Sequence, residues 1–300
     1  AAFYVSLGRE LVPLVAEYRL DAEDKAREAL AMPVQIGALE GLWQGFSPVL
    51  TAHDVAVGEG AGALQLDQVR VVPDVLGSLL ARQLRVARLE VDGLQLVVAQ
   101  DAQGQWSLKG LPHRNPAAPL DLAQTLRQLQ VVKRLSLLNS QVTLQAYAHP
   151  ARTLTYVNLS LLNGPLRQRL DGRLLLPDGQ PLALQVRTRL RAERWQDAQV
   201  DVYLSLPQSD WAAWIPASLL AQWQLEQLQL GGEVWLAWAK GGVQRVVSRL
   251  HAPQIKAGYA ERESVALHNL ALNGYFSRTE QGFKLLLDDR RLTRLQEYIS

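Results

Sequence analysis

Leu182-Ala-Leu-Gln-Val-Arg-Thr-Arg-Leu190 decides the fold class. Leu182, Leu184, Val186, Thr188 and Leu190 alternate with Ala183, Gln185, Arg187 and Arg189. Successive side chains of a strand point to opposite faces. The segment therefore carries one apolar and one wetted face, as in an antiparallel sheet with a solvated side. It follows Leu174-Leu-Leu-Pro-Asp-Gly-Gln-Pro181, where Asp178-Gly179 supplies a turn.

The same period of two runs outward from this segment. Downstream it places strands at Val200–Leu206, Val234–Trp238, Val243–Arg249, Leu270–Phe276 and Phe283–Leu287. Upstream, Val34 and Ile36 alternate with Gln35, and Val55 and Val57 form a short strand. Gly58-Glu-Gly-Ala-Gly-Ala63 is a hairpin or loop, and alternation resumes from Leu64 to Pro73. Leu89 and Val91 precede Asp92-Gly93, read as a hairpin turn, and Leu94, Leu96 and Val98 follow it. Asp101-Ala-Gln-Gly104 is a further turn. Arg134-Leu-Ser-Leu-Leu-Asn-Ser-Gln-Val-Thr-Leu144 echoes Arg88-Leu-Glu-Val-Asp-Gly-Leu-Gln-Leu96, a weak repeat of two expected hairpins.

Helices punctuate this series. Leu11, Leu14, Val15, Tyr18, Ala22, Ala26 and Leu30 recur at helical spacing over Ser6–Ala31, with Pro13 as a kink and Pro33 as a stop. Asp74 is a natural N-cap for a helix over Val75–Arg82. Residues 112–119 hold three prolines and form a loop, followed by a helix over Asp121–Gln130. The aromatic stretch Ser209–Trp223 is expected as a helix covering the sheet. The predicted organisation is an N-terminal helix (1–32), a first β segment (33–111), the Pro-rich loop and helix (112–130), a second β segment (131–288) and an atypical charged tail (289–300). The stretch Ala1–Leu7 is apolar but shorter than the roughly 20 residues a bilayer span needs. With Met32 as the lone methionine, it reads as the tail of a truncated membrane anchor.

Composition removes most chemistry. The 300 residues carry a net charge of +2, from 31 basic and 29 acidic side chains, so no field is available to grip a phosphate backbone and nucleic acid is not an expected partner. The absence of cysteine excludes disulfides, thiolate metal sites and Cys nucleophiles. His53, His113, His149, His251 and His268 share no metal-ligand spacing. Gly58-x-Gly-x-Gly62 opens a strand rather than the helix N-terminus a phosphate loop requires. Trp211, Trp214 and Trp223, and Trp235 and Trp238, read as packing aromatics rather than a ligand platform. No catalytic residue, metal or cofactor is expected, and the chain is not read as an enzyme.

The stretch Leu30-Ala-Met-Pro-Val-Gln-Ile-Gly37, then Leu39-Glu-Gly-Leu-Trp-Gln-Gly-Phe-Ser-Pro-Val-Leu50, is more specific. Taken with Val69–Leu80, Asp101-x-x-Gly-x-Trp106 and Leu170–Leu182, it resembles the AsmA-like superfamily, and within it the YhdP branch, related more distantly to TamB. Ala31 stands where that family usually has Gly, and the tail after Asp288 does not follow it. The resemblance implies a periplasmic body anchored to the inner membrane of a Gram-negative bacterium through a helix missing here. It implies an elongated, curled, antiparallel-rich sheet forming an open apolar groove, with the N-terminal helix capping one end and the groove continuing in a longer protein. The implied role is moving phospholipid toward the outer membrane and maintaining its barrier.

The expected groove lining is the apolar set Val86, Leu89, Val91, Leu94, Leu96, Leu135, Leu137, Val142, Leu144, Leu182, Leu184, Val186, Leu190, Val202, Leu204, Val234, Leu236, Leu270, Leu272, Leu285 and Leu287. An acyl chain gains about 0.8 kcal/mol per buried CH₂, so a continuous groove needs no polar recognition. The alternative is a non-enzymatic envelope assembly or scaffold protein that binds protein partners through sheet edges.

Overall fold

The computed structural model describes residues 19–30, 32–44, 47–58, 63–82, 85–103, 105–109, 131–147, 150–164, 166–189, 197–215, 220, 222–259, 262–279 and 282–288. The expected helix over 121–130, the Pro-rich loop, the first part of the N-terminal helix and the charged tail lie outside these residues. The fold is mainly β and the sheet mostly antiparallel, as the period of two requires. The chain divides into two compact units, Ala1–Pro177 and Asp178–Ser300.

In the first unit, helix α1 (Arg19–Leu30) precedes strands β1 (Val34–Gln44), β2 (Ser47–Val57) and β3 (Leu64–Pro73). Helix α2 (Val75–Ala81), β4 (Val86–Asp92), β5 (Gln95–Gln100), β6 (Trp106–Leu108), β7 (Val132–Gln145), β8 (Arg152–Asn163) and β9 (Arg167–Leu175) follow. The ladder runs β1-β2-β3-β4-β7-β8-β9, with β5 pairing β3 and β7, and β6 pairing β5. The first two strands reach further than the sequence period indicates and pair as one hairpin, Val34↔Val57 through Gln44↔Ser47. Asp74 caps α2 as expected, its carboxylate accepting from the Gly77 amide at 3.1 Å.

Helix α1 closes the β1 edge. The Glu23 carboxylate accepts from the Ile36 amide at 2.9 Å, and the Arg19 guanidinium donates to the Ile36 carbonyl at 2.7 Å. An open strand edge templates pairing with other chains, and α1 occupies this one. The helix also lays Ala22 and Ala26 on a small core of Val34, Ile36, Leu39, Ala52 and Val55.

Two sequence expectations are corrected. Asp92-Gly93 does not turn the chain back. Strands β4 and β5 run in one direction, and both pair parallel with β7, from Val86↔Val132 to Asp92↔Leu138 and from Gln95↔Gln141 to Ala99↔Gln145. The two repeats at Arg88 and Arg134 are therefore neighbouring parallel strands in matched register, not two hairpins. Gly93 (φ 68°) and Asn139 (φ 45°) take the left-handed backbone at adjoining places, and each strand kinks and continues.

In the second unit, β10 (Pro181–Arg189), β11 (Gln199–Asp210), β12 (Trp223–Ala239), β13 (Gly242–Tyr259), β14 (Val265–Thr279) and β15 (Gly282–Asp288) form an antiparallel meander. Here the second correction falls. Of the expected helix over Ser209–Trp223, Ser209 and Asp210 instead end β11, Ala212–Trp214 form a single 3-10 turn and Trp223 starts β12, while Leu220 is helical and residues 216–219 and 221 lie outside the described residues. The Trp211 indole donates to the Leu230 carbonyl at 2.8 Å and the Asp210 carboxylate accepts from the Leu228 amide at 3.0 Å. These bonds hold the segment to β12 and satisfy the Leu230 carbonyl and the Leu228 amide of that strand.

Candidate functional site: an apolar sheet face

Register converts the one-dimensional alternation into rows that cross the strands. In the second unit, Val186, Val202, Leu236, Val246, Phe276 and Leu285 are successive ladder partners, one per strand. The next row on that face is Leu184, Leu204, Val234, Ser248, Gly274 and Leu287. Leu206, Gly232, Leu250 and Leu272 make a third. The intervening rows belong to the opposite face. One of these reads Arg187, Asp201, Ala237, Arg245, Ser277 and Lys284. Another is aromatic, with Tyr203 and Trp235 rings 5.5 Å apart and the Arg249 guanidinium 5.6 Å over Trp235. One face is thus aliphatic and the other charged and aromatic.

The first unit repeats the scheme over seven strands. Leu39, Ala52, Val69, Val91, Leu137, Leu159 and Gly172 form one row. Gly41, Leu50, Val71, Leu89, Leu135, Leu161 and Leu170 form the next. Between them on the other face lie Glu40, Thr51, Arg70, Glu90, Ser136, Ser160 and Asp171.

A crease crosses this unit and extends its apolar face. Along each strand the alternation slips by one residue. Ile36 is followed by Leu39, Ala52 by Val55, Leu66 by Val69, Val91 by Leu94, and Leu137 by Ser140. In a regular strand a slip of one moves every later side chain to the other face. The slips instead fall together, at Gly37, Asp54 (φ 53°), Asp67, Gly93 (φ 68°), Asn139 (φ 45°) and Tyr156 (φ 48°). Left-handed residues and the accompanying register shifts act as bulges that bend the strand and restore its facing. The core under α1 demonstrates the result. Leu39, Ala52 and Val69 from one side of the crease pack with Val34, Ile36, Val55, Val57 and Leu66 from the other. Gln65↔Gln95 carries the same facing into β5, setting Leu94 and Leu96 beside Leu66 and Leu64.

Polar groups stitch the crease. Asn139 donates from its side-chain amide to Asp92 at 3.0 Å, and its backbone amide donates to the Asn158 side chain at 3.1 Å. The Leu94 amide donates to the Ser140 hydroxyl at 3.2 Å. In the second unit Pro253, Asn269 (φ 53°) and Gly232 (φ 137°) occupy the corresponding interruptions of β13, β14 and β12.

Outside the core under α1, the apolar rows are not a filled core. Only Leu270, 4% exposed, is buried among the expected lining residues that are described, and Ala252 opposite it is wholly enclosed. The remainder are half-buried, and Leu285 is 54% exposed. Among the described residues, close backbone approaches are made by ladder neighbours, by α1 on β1 and by the 3-10 turn on β12. The structure thus brings Leu89, Val91, Leu94, Leu96, Leu135, Leu137, Val142 and Leu144 onto one face of the first unit. In the second unit it aligns Leu182, Leu184, Val186, Val202, Leu204, Val234, Leu236, Leu270, Leu272 and Leu285. Val86 shares the parity of Arg88 and Glu90 and falls on the wetted face. Leu190 lies outside the described residues; of Leu287 only the backbone position is described. Sequence reading missed Val246 and Phe276, which complete the Val186 row. Val246 lies out of phase with the Val243, Arg245 and Val247 alternation expected for β13, whereas Phe276 shares the expected phase of Leu270 and Leu272 and falls outside the expected lining only as an aromatic at the strand's end.

No group of His, Asp or Glu suited to hold a metal ion occurs among the described residues. No described helix is long and apolar enough to cross a membrane.

The chain is 27% identical over 297 residues to a protein of Escherichia coli (strain K12) described as "Intermembrane phospholipid transporter YhdP". That alignment covers 98% of this chain and 23% of the relative, so the chain spans about a quarter of that protein's length. No solved structure matches. The family model described as YhdP protein matches residues 1–297. A match over nearly the whole sequence, on a fold built from aligned aliphatic rows, places this chain in the YhdP family.

Proposed function

We propose that the aliphatic face lines an open groove that carries phospholipid acyl chains within a longer, inner-membrane-anchored periplasmic protein, from the inner toward the outer membrane. One observation carries this reading: the rows headed by Val186 and Leu89 are continuous across their units, yet their side chains stay half-exposed. An ordinary sandwich would cover such rows with a second sheet. A hydrocarbon chain laid across them gains about 0.8 kcal/mol per buried CH₂, on the order of 10 kcal/mol for a typical chain, which offsets leaving the bilayer. Among the described residues the Val186 and Leu89 rows carry no charged side chain, so headgroups stay in water and the chains slide. The exposed Phe283, Leu285 and Leu286 of β15 suit continuation of the sheet by further strands of a longer protein.

A photo-crosslinking amino acid at Leu204 tests the reading against one at Arg187, on the opposite face. In cells expressing the full-length protein, Leu204 is expected to trap phospholipid and Arg187 to trap none. Equal trapping, or protein adducts alone at Leu204, overturns the groove and favours a scaffold that binds proteins.

A further inference from the structure

We propose that helix α2 is a membrane-surface foot, which dips Leu79 and Leu80 into an anionic leaflet. The helix is one of the few places where large aliphatic side chains stand clear of the protein. Leu79 is 71% exposed and Leu80 is 89% exposed, and they are adjacent. Lone surface leucines are ordinary, but a paired protrusion on an ordered helix needs a partner.

The surroundings specify that partner by charge. Arg82, at the C-cap, and Arg85 are exposed immediately after the helix. The Arg85 amide donates to the Ser78 hydroxyl at 2.8 Å, and the Arg85 carbonyl accepts from the Asp74 amide at 2.9 Å, which keeps this arginine beside α2. Lys133 bridges to Asp74 at 2.6 Å, which ties the start of β7 to the start of the helix. Beyond it Arg88 and Arg134 are ladder partners, and with Lys133 they line a shallow hollow. Arg82 and Arg85 thus follow the leucine pair directly, and Lys133, Arg88 and Arg134 stand on the neighbouring strand starts. Two acids offset part of this charge, Asp74 bridged to Lys133 and Glu90 to Arg70 at 3.3 Å and Arg88 at 3.7 Å, and the basic side chains remain in excess. A protein partner of acidic and apolar character would need its own matching relief. A bilayer bearing anionic headgroups supplies both an oily interior and a negative surface.

The place in the fold gives the contact a use. α2 joins the end of β3 to the start of β4, so it stands at the strand ends bordering the aliphatic rows of Leu89 and Val71. A foot there would hold that border against the lipid surface. This use rests on the groove reading; the membrane contact itself does not.

The chain contains no cysteine, so Leu80→Cys labelled with an environment-sensitive dye reports one position in the 300-residue chain. Ala102→Cys, in the turn after β5 at the opposite strand ends, is the reference. With phosphatidylglycerol–phosphatidylcholine vesicles the Leu80 label is expected to shift blue while the Ala102 label does not move. Phosphatidylcholine alone should give little shift. Replacing Arg82 and Arg85 together by Gln is expected to weaken vesicle affinity about 25-fold, near fivefold per charge. Leu79→Asn is expected to weaken it about tenfold or more. Absence of a shift at Leu80, equal shifts at both positions, or a shift without vesicles that tracks protein concentration would overturn the foot, the last in favour of a protein interface. Lipid crosslinking at Leu204 is unaffected by these failures, so the two readings fail separately.

Discussion

At Gly93 the backbone sits at φ 68°, and a Cβ there would come within 1.9 Å of the Asp67 carboxylate. Asn139, its neighbour across the parallel ladder, holds φ 45° and spends its side chain on Asp92. Asn tolerates the left-handed region and β-branched residues do not. Asn139→Val is therefore expected to cost about 2–3 kcal/mol, the sum of backbone strain and a lost exposed side-chain hydrogen bond. Asn139→Gly should cost about 1 kcal/mol, because only the hydrogen bond is lost. Urea unfolding measures both, and equal costs would remove the strain from the account. These residues also mark where sequence reading stopped. Asp92-Gly93 supplies a positive φ, which a hairpin turn and a mid-strand slip need equally. The distinguishing fact is which strand the next residues pair with, and no local pattern contains it. What was legible was the echo between Arg88 and Arg134, together with apolar residues three apart at Val91 and Leu94.

At the scale of elements, α2 depends on one carboxylate. Asp74 caps the helix at Gly77 and bridges to Lys133. The hydrogen bond from Lys133, then that from the Gly77 amide, holds its pKa below the ordinary carboxylate value against the opposing effect of burial. A depressed folded-state pKa means the stabilisation is complete above the ordinary carboxylate pKa and fades as pH falls through the lower folded value. Asp74→Ala removes both the cap and the ion pair and is expected to cost about 1–2 kcal/mol at neutral pH. Asp74→Asn keeps the cap, since Asn serves that position well, and should cost under about 1 kcal/mol. The Asn deficit should shrink toward zero in acid while part of the Ala deficit persists, read as thermal midpoints across that range. A pH-independent Asn deficit would detach the charge from the helix. The cap and α2 were both legible in the sequence, because Asp before an apolar turn has a local cause. The strand end and 3-10 turn over Ser209–Trp214 were not, because Trp211 and Asp210 bond to β12 residues eighteen or more positions away.

At the scale of the molecule, stability and function draw on the same surface. Buried hydrophobic side chains among the described residues are few, and in the second unit they reduce to Ala252 and Leu270. Aliphatic rows left half in water contribute less than their full burial energy, and a ligand that covers them adds the remainder to the folded state alone. Binding that favours the native state raises its stability by about 2.7 kcal/mol at a ligand concentration of 100 times Kd, a gain of several degrees in Tm for a domain of this size. Phospholipid presented in dilute detergent micelles should therefore raise the melting temperature progressively with its mole fraction. Val202→Asp and Leu236→Asp, adjoining members of one row, should abolish that rise, since each puts a carboxylate where a methylene would lie. They should cost little in the lipid-free protein, because the side chains they replace are already half-solvated. Arg187→Asp, on the opposite face, should leave the rise intact. A rise that survives in the Val202 and Leu236 variants would place the lipid elsewhere. A lipid-free protein that unfolds on their introduction would mean these rows act as a packed core, and a packed core has no room for an acyl chain.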